Sequence, residues 1–334
     1  FNGIKQTEFP FVYEVSKCCA ETAFANLGKA YKNFFEKRSK YPKFKKKGIH
    51  DSFGLDNLNF HVDGKHIKLA KMSQMRMAEE LRFDGKIMSG TVSRVADKWY
   101  ISIAVEVRRD LTLPKTGKFV GVDLGVKDIA ITSDGCKFAN PRWIQKSEKK
   151  LKRLQRELAR RQRESKRRER TRLRLARQND RVANQRKDWL HKITTYLVRK
   201  YDVIALEDLN VRGMTKNHSL AKAITNVAFG EFNRQIEYKV QMYGKQIYRV
   251  DRFFPSSKTC SVCGCVQEKI PLRVREWTCP DCGAHHDRDI NAATNLLRQA
   301  MPEVTRGERS ALVISEISDV TKLDSLNRES YKLI

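Results

Sequence analysis

The sequence has no long hydrophobic run. Its longest apolar stretches, such as residues 99–107, are too short and too interrupted to cross a bilayer, which takes about 20 apolar residues. The start of the chain also lacks a basic segment followed by an apolar core and a small-residue cleavage site, so no secretory signal is predicted. These absences argue against a membrane protein and favour a reducing, cytoplasmic setting.

Acidic residues are scarce relative to basic ones. The 334 residues include 67 lysines and arginines against 39 aspartates and glutamates, a formal charge of +28, although 40% of the residues are hydrophobic. A chain this hydrophobic is not wholly disordered, and its length suits about two domains. Such an excess of positive charge favours a polyanionic partner, and without a membrane segment the expected partner is nucleic acid.

Cysteines are few outside one cluster. Five of the eight fall within residues 260–282, which is not the distribution of a disulfide framework. Two Cys-x2-Cys pairs, fifteen residues apart, have the spacing of a zinc ribbon; they are Cys260, Cys263, Cys279 and Cys282. Four thiolates close a zinc site to water, so we expect this Zn²⁺ to be structural. Cys265 is a fifth thiol without a predicted role.

The hydrophobic patterns predict an α+β chain. Three-residue and four-residue spacing predicts helices over residues 15–35, 226–243 and 290–300. Short β-branched stretches predict a small β-rich module over residues 52–107, with a hairpin of 86–95 and 98–107, and strands at 119–132, 201–206 and 246–250. Residues 146–187 carry nineteen lysines and arginines against five acids, and their leucines follow two helical faces. This segment is predicted to be a basic helical hairpin.

Three carboxylates lie where the sequence predicts burial. Asp123 and Glu207 each follow an apolar strand-like segment, and Asp289 begins a helix whose Ala292 and Ala293 would pack closely on a sheet. A buried carboxylate is costly unless a cation neutralises it. Three convergent oxygen ligands suit Mg²⁺, and two such ions could activate a water and stabilise the leaving oxygen of a phosphodiester.

The neighbours of these acids leave alternatives open. Asp208 and Asp287 could be confused with the true ligands, and Asp287 could equally cap the last helix. His285 and His286 could pack beside the zinc site or contact a substrate phosphate, and packing is favoured.

Several basic residues are candidates for nucleic-acid contact. In the run 40–47, Tyr41 and Phe44 alternate with lysines, a pattern that suits backbone contact with base stacking. Trp277, with Arg273 and Arg275, would give the ribbon a nucleic-acid surface. The candidate contact residues are Lys43, Lys45, Lys46, Lys47, Arg160, Arg161, Arg167, Arg168, Lys258 and Arg288.

Four segments, in this order, resemble the transposon-encoded TnpB (OrfB) proteins, relatives of the type V CRISPR effector nucleases. They are Val122-Asp-Leu-Gly125, Leu206-Glu-Asp-Leu-Asn210, the four-cysteine ribbon and Asp287-Arg-Asp-Ile-Asn-Ala-Ala293, and the resemblance covers about residues 10–300. It implies an RNase H-like (RuvC) nuclease with an inserted zinc ribbon, in which Asp123, Glu207 and Asp289 are the catalytic acids and hold Mg²⁺.

The resemblance also implies the partners of the protein. It implies cleavage of double-stranded DNA directed by a guide RNA from the transposon end, with contact to single-stranded DNA and a short adjacent DNA motif. It implies no membrane and no small-molecule cofactor, and a prokaryotic cytoplasmic protein associated with the nucleoid.

The expected domain boundaries follow from the same resemblance. They are a helical recognition-like segment (1–50), a β-rich, barrel-like wedge module (51–115), the nuclease domain (118–300) with the basic hairpin at 143–200 and the ribbon at 255–286, and a flexible C-terminal tail (301–334). Because the chain opens with Phe1 and lacks the strand and helices with which family members usually begin, we expect an N-terminal truncation.

Two other functions are considered. The chain could be a non-cleaving nucleic-acid-binding regulator or transposition accessory that keeps the ribbon and the basic surface. Asp123-Leu-Gly125 could also be the phosphate loop of an actin-like or sugar-kinase ATPase, but no second glycine-rich phosphate loop follows.

Overall fold

The computed structural model describes residues 2–48, 51–107, 110–271, 273–305 and 329–333, which form a mixed α+β chain. A short 3₁₀ helix, Pro10–Glu14, precedes the first α-helix. The helices are α1 (Lys17–Phe35), α2 (Trp143–Arg160), α3 (Lys166–Lys200), α4 (Val211–Met214), α5 (His218–Val227), α6 (Phe229–Met242) and α7 (Arg288–Thr305). The strands are β1 (Ser52–Asp56), β2 (Phe60–Asp63), β3 (His66–Leu69), β4 (Gln74–Arg76), β5 (Lys86–Val95), β6 (Lys98–Glu106), β7 (Phe119–Asp123), β8 (Asp128–Thr132), β9 (Lys137–Ala139), β10 (Val203–Glu207), β11 (Gln246–Val250), β12 (Glu276–Thr278), β13 (His285–Asp287) and β14 (Glu329–Leu333).

The chain divides into two compact units. The second unit comprises residues 110–156 and 181–316, and the first comprises the rest of the chain, including 157–180. The basic hairpin was expected to belong wholly to the 118–300 domain, but its tip groups with the first unit. The 35 residues of α3 extend for about 50 Å, and the boundary between the two units falls within this helix.

The first unit contains two antiparallel sheets. One has the order β1-β5-β6-β14 and the other β2-β3-β4, and the predicted hairpin of β5 and β6 is confirmed, with Ala96 at positive φ in its turn. The sheets share a core in which Ile67, Met77 and Ile101 are fully buried. Among the described residues these strands do not close into one barrel, so the barrel-like description is not supported.

The end of the chain differs from the predicted tail. Helix α7 continues to Thr305, five residues beyond the predicted end, and β14 pairs antiparallel with β6. The part of the predicted tail at 306–328 and residue 334 lie outside the described residues. Edge strands such as β6 offer unpaired backbone groups, which explains why a polar terminal segment can be held without a hydrophobic pattern of its own.

The second unit is built on a five-stranded sheet with the order β11-β10-β7-β8-β9. Strands β7, β10 and β11 are parallel, whereas β8 and β9 pair antiparallel. Val120 and Val122 of β7 and Ile204 and Leu206 of β10 face the main core, which α3, α5 and α6 cover. Helix α7 covers the opposite face, where Leu296 packs with residues of β10 and β11. Among the described residues no helix has the length and hydrophobicity to span a bilayer.

Candidate active site and metal centre

Asp123 and Glu207 lie level with each other at the carboxyl ends of two neighbouring parallel strands. Val122 of β7 pairs with Leu206 of β10, so the next residue of each strand occupies the same position along the sheet. Neighbouring strands are about 4.8 Å apart. Side chains alternate between the faces of a sheet, and Val122 and Leu206 point into the main core. The two carboxylates are therefore on the face that α7 covers.

Helix α7 brings Asp289 to the same edge of the sheet. The helix can lie directly on β7 because residue 121 is glycine: a Cβ at Gly121 would be 1.8 Å from the carbonyl oxygen of Ala293. Ala292 and Ala293 are buried, which confirms the predicted close packing of these small residues. Asp289 lies about one turn before Ala293, in the first turn of the helix, and reaches the end of β7 where Asp123 stands.

The three carboxylates interact electrostatically. Burial, with the negative charges of Asp289 and Glu207, raises the pKa of Asp123 from 3.8 to about 7, against the opposing charge of Arg288. Burial, with the charge of Asp208, raises the pKa of Glu207. Two carboxyl groups whose charged forms are destabilised at one edge make a place where a divalent cation is favoured.

Asp289 forms an ion pair with an arginine side chain of the ribbon. The Arg275 guanidinium donates through one nitrogen to both Asp289 oxygens, each at 3.2 Å. Among the described residues, the four cysteine sulfurs are the only set of three or more ligand atoms close enough together to hold an ion, and the three acids are less tightly gathered.

The alternatives left open for the neighbouring acids are now distinguishable. Asp287 caps α7, because its Oδ1 accepts from the backbone N–H groups of Asp289 and Ile290 at 3.0 and 3.1 Å. Its second oxygen pairs with Lys137 at 2.5 Å. Asp208 is about half exposed and pairs with Arg252. The negative charge of Asp289 raises the pKa of Asp123, whereas Asp208 acts on the pKa of Glu207.

The four cysteines converge as predicted. The Sγ atoms of Cys260 and Cys282 are 3.7 Å apart, those of Cys263 and Cys279 are 3.6 Å apart, and all four lie within 4.8 Å of one another. Four sulfurs held tetrahedrally at about 2.3 Å from one zinc ion are about 3.8 Å apart, so the arrangement fits Zn²⁺. Gly264, at φ +82°, makes the turn after the first pair, as its position predicts.

The interior of the ribbon corrects one expectation. Trp277 was expected to offer a nucleic-acid surface, but it is buried and packs against His286, with ring centroids 4.8 Å apart and ring planes tilted by 39°. Trp277 packs against Cys260 and Cys279, and this apolar contact stabilises a ribbon that is too small to have a large core of its own. His286 is buried with its Nε2 3.0 Å from Cys260 Sγ, which supports the predicted packing role, whereas His285 is exposed.

The basic residues divide into exposed and internally bound groups. Exposed ones comprise Lys43, Lys45, Lys46 and Lys47, in a segment without helix or strand, together with Arg160 and Arg167. Phe44 is fully exposed among these lysines. Lys258 is half-buried and donates to the Glu268 carbonyl at 2.8 Å. Contact of these exposed residues with nucleic acid stays a prediction.

Three of the predicted contact residues make hydrogen bonds or ion pairs within the chain. Arg168 donates to the carbonyl oxygens of Leu158 and Arg161, where it satisfies the end of α2 at the turn into α3. Arg161 pairs with Glu157 one turn earlier at 3.1 Å. Arg288 is buried and donates to the Pro271 carbonyl at 3.0 Å. Arg168 and Arg288 thus have a structural role as donors to carbonyl oxygens, and their contact with nucleic acid stays a prediction.

Two buried asparagines of α7 were missed by the sequence reasoning. Asn291 and Asn295 are 2% and 3% exposed and bind the loop that carries Cys260. The signal that could have revealed them is their spacing, since two amides four residues apart lie on one face of a helix that otherwise presents alanine and leucine.

Comparison with known proteins gives matches over most of the chain. The family model OrfB_IS605, described as "Probable transposase", matches residues 102–218, and the model described as "Cas12f1-like, TNB domain" matches residues 229–296. A Streptomyces pristinaespiralis protein named "Putative RNA-guided DNA endonuclease" is 38% identical over 309 residues, covering 91% of this chain and 76% of the relative.

Two further matches extend the comparison. "Putative RNA-guided DNA endonuclease InsQ" of Escherichia coli K12 is 32% identical over 304 residues, covering 86% of this chain and 75% of the relative. A solved complex of Cas12f1 with sgRNA and target DNA aligns with a TM-score of 0.42 at 15% identity, over 84% of this chain and 78% of the other.

Proposed function

The chain belongs to the TnpB (OrfB) family, and we propose that it is a transposon-encoded RNA-guided DNA endonuclease whose catalytic acids are Asp123, Glu207 and Asp289. The names of its relatives support the activity, since both long matches are named as RNA-guided DNA endonucleases. The main support for this active site is that Asp123 and Glu207 occupy matching positions at the ends of two neighbouring parallel strands. The helix that contains Asp289 packs directly against Gly121 of the same sheet.

The sheet supports the fold that the family resemblance implies. We propose that β9-β8-β7-β10-β11, with α7 on one face and α3, α5 and α6 on the other, is a RuvC-like RNase H domain. The ribbon at 255–286 is then an insertion between β11 and α7. The carboxyl ends of parallel strands are a usual place for ligands in open α/β sheets, which agrees with the position of the acids.

The acids fit magnesium. Their oxygens are the ligand type that Mg²⁺ prefers, and burial, together with the charges of Asp289 and Glu207, raises the pKa of Asp123 in a way that a bound cation would oppose. Magnesium bound there would supply Lewis-acid stabilisation and an activated water for phosphodiester hydrolysis. Asp123 and Glu207 would hold the ions from the sheet and Asp289 from the helix, once its oxygens leave Arg275. We propose two ions, as the family resemblance implies.

The cysteine cluster fits zinc. Its sulfur separations support tetrahedral binding, and all four positions are filled by protein ligands, so a role in catalysis is not expected. We propose that Zn²⁺ stabilises the ribbon and that the ribbon supports the start of α7.

Guide RNA and target DNA, double-stranded and single-stranded, are the proposed partners. The 19 basic residues against five acids in the hairpin region would contact phosphates by charge and shape, while base pairing with the guide selects the sequence. An enzyme of this kind would act on DNA in the prokaryotic cytoplasm. Affinity should fall by about 0.7–0.9 log units per decade of salt for each phosphate neutralised. A nucleic-acid affinity that does not change with salt would remove this electrostatic support.

A cleavage assay tests the proposed function. The protein is purified with its co-purifying RNA, which is sequenced, and is then given double-stranded DNA that matches the guide, with Mg²⁺. Asp123→Asn and Glu207→Gln should abolish cleavage and leave RNA binding nearly unchanged, whereas the control Asp208→Asn should keep both. Cleavage by the Asp123 or Glu207 variant would refute the site, and binding without cleavage by the unaltered protein would favour a non-cleaving regulator.

A further inference from the structure

Helix α7 is fastened to the ribbon by two buried amides. The Asn291 Oδ1 accepts from the Ser261 backbone N–H at 2.9 Å, and its Nδ2 donates to the Thr259 carbonyl at 2.7 Å. The Asn295 Nδ2 donates to the carbonyl oxygens of Ser256 and Thr259 at 2.8 and 2.6 Å. Four hydrogen bonds thus join one helix face to the six residues 256–261.

The same loop is fastened on its other side by the cysteine cluster. Cys260 lies between Thr259 and Ser261, is fully buried, and contributes the sulfur that faces Cys282. The loop therefore stands between a metal-ligating sulfur and two helix amides, with no flexible linker between them. Its position on α7 is set by the amides, and its position in the ribbon is set by Cys260.

Burial makes these hydrogen bonds specific in position. Asn291 and Asn295 are 2% and 3% exposed, so water cannot replace a lost partner. A buried donor or acceptor without a partner is costly, and both amides meet the loop at one register along the helix. A shift of α7 by one turn would leave only one of the two amides against the loop.

The first turn of α7 carries the third acid. Asp289 is two residues before Asn291, about 3 Å along the helix axis. The ribbon also reaches this turn directly, because the Arg275 carbonyl accepts from the Arg288 backbone N–H at 2.7 Å. The position of the ribbon loop thus defines the position of Asp289 over the sheet.

We propose that Asn291 and Asn295 are positioning residues that transmit metal binding at the four cysteines to Asp289, so that zinc orders the third ligand of the acid site. The proposal deepens the proposed function, on which it rests for the role of Asp289 as a metal ligand. Zinc would in this way control the site without touching a reacting atom.

Amide hydrogen exchange of the zinc-loaded full chain tests the structural half. Asn291→Ala should increase the rate of amide exchange in the first turn of α7 by about tenfold relative to Thr294→Ala, because it removes a buried hydrogen-bond partner. Thr294 is a matched control because its hydroxyl donates within α7, to the Ile290 carbonyl at 2.9 Å. Peptides from β10 report that the sheet is folded, and Asn295→Ala should give the same change if Asn291→Ala does not fold. A difference under threefold would overturn the proposal.

Manganese binding, followed by electron paramagnetic resonance, tests the positioning half. Asn291→Ala should weaken Mn²⁺ binding by about tenfold, while zinc content stays at that of the unaltered protein, and it should add no further loss to Asp289→Asn. A purely structural role would lower stability without this dependence on Asp289, so an additive loss would overturn the proposal. If Asp289→Asn itself leaves Mn²⁺ binding unchanged, the acid site fails, and the exchange result still reports separately on the ribbon contact.

Discussion

Replacing Asp123 by asparagine should stabilise the protein when no magnesium is present. Asparagine has nearly the shape of aspartate and no charge, so the variant loses the repulsion that Glu207 and Asp289 exert on residue 123. In the unaltered protein the pKa of Asp123 is raised from 3.8 to about 7 by burial and by these charges. A carboxyl with a higher pKa in the folded state binds more protons there, so its contribution to stability falls as pH rises between these two values.

The size of the effect follows from the same pKa values. One pKa unit corresponds to about 1.4 kcal/mol, so a pKa raised from 3.8 to about 7 destabilises the folded protein by about 4 kcal/mol once both states are ionised. Asp123 is half-buried, and solvent screens part of the repulsion, so we expect a measured gain of about 2 kcal/mol at pH 8. The gain should be smaller at pH 5 and absent near pH 3, where Asp123 is protonated in both states.

Urea unfolding at a series of pH values measures this gain. Zinc is kept saturating, no magnesium is added, and Asp208→Asn serves as the control because Asp208 is about half exposed and paired with Arg252. Magnesium added at pH 8 should then stabilise the unaltered protein and leave Asp123→Asn unchanged. An advantage of Asp123→Asn that does not vary with pH, or a loss of stability at pH 8, would refute the account of the three interacting carboxylates.

Three further predictions concern the support of the site. Gly121→Ala places a Cβ 1.8 Å from a carbonyl oxygen of α7 and should lower the free energy of unfolding by about 3 kcal/mol. The control Gly230→Ala, whose Cβ would have no atom within 4 Å, should raise the free energy of unfolding. Thermal unfolding measures both variants, and equal changes in the two would contradict the prediction. Cys260→Ser should contain less zinc than the unaltered protein when measured by mass spectrometry, whereas Cys265→Ser should retain its zinc. Equal zinc contents in the two variants would show that Cys260 is not a zinc ligand. Asp287→Ala should lower stability by about 1 kcal/mol through the lost cap and leave Mn²⁺ affinity unchanged, so weaker Mn²⁺ binding would make Asp287 a ligand.

Much of the site could be predicted because its signals are local. The strand ends at Asp123 and Glu207 follow runs of β-branched and apolar residues, and the thiol spacing alone identified the four cysteines. The small residues Ala292 and Ala293 correctly indicated a helix lying close to the sheet. In each case the residue type is restricted by what must fit beside it, and that restriction is visible in the sequence.

The remaining features depend on contacts between distant residues. Nothing in a run of arginines tells which guanidinium is free, and the structure shows that Arg168 and Arg288 satisfy carbonyl groups of the chain itself. The pairing of Arg275 with Asp289 joins positions fourteen residues apart through the fold of the ribbon. The division of the hairpin between two units follows from the contacts within each unit, which periodicity does not report.

The order in which the acids occur along the chain has a consequence for synthesis. A ribosome releases the strands of Asp123 and Glu207 first, and the helix of Asp289 only after the whole ribbon has emerged. Because domains form as their segments emerge, a nascent chain can complete the core face of its sheet while it still lacks a functional centre. The three acids can therefore meet only after translation has passed residue 289 and α7 has docked over Gly121.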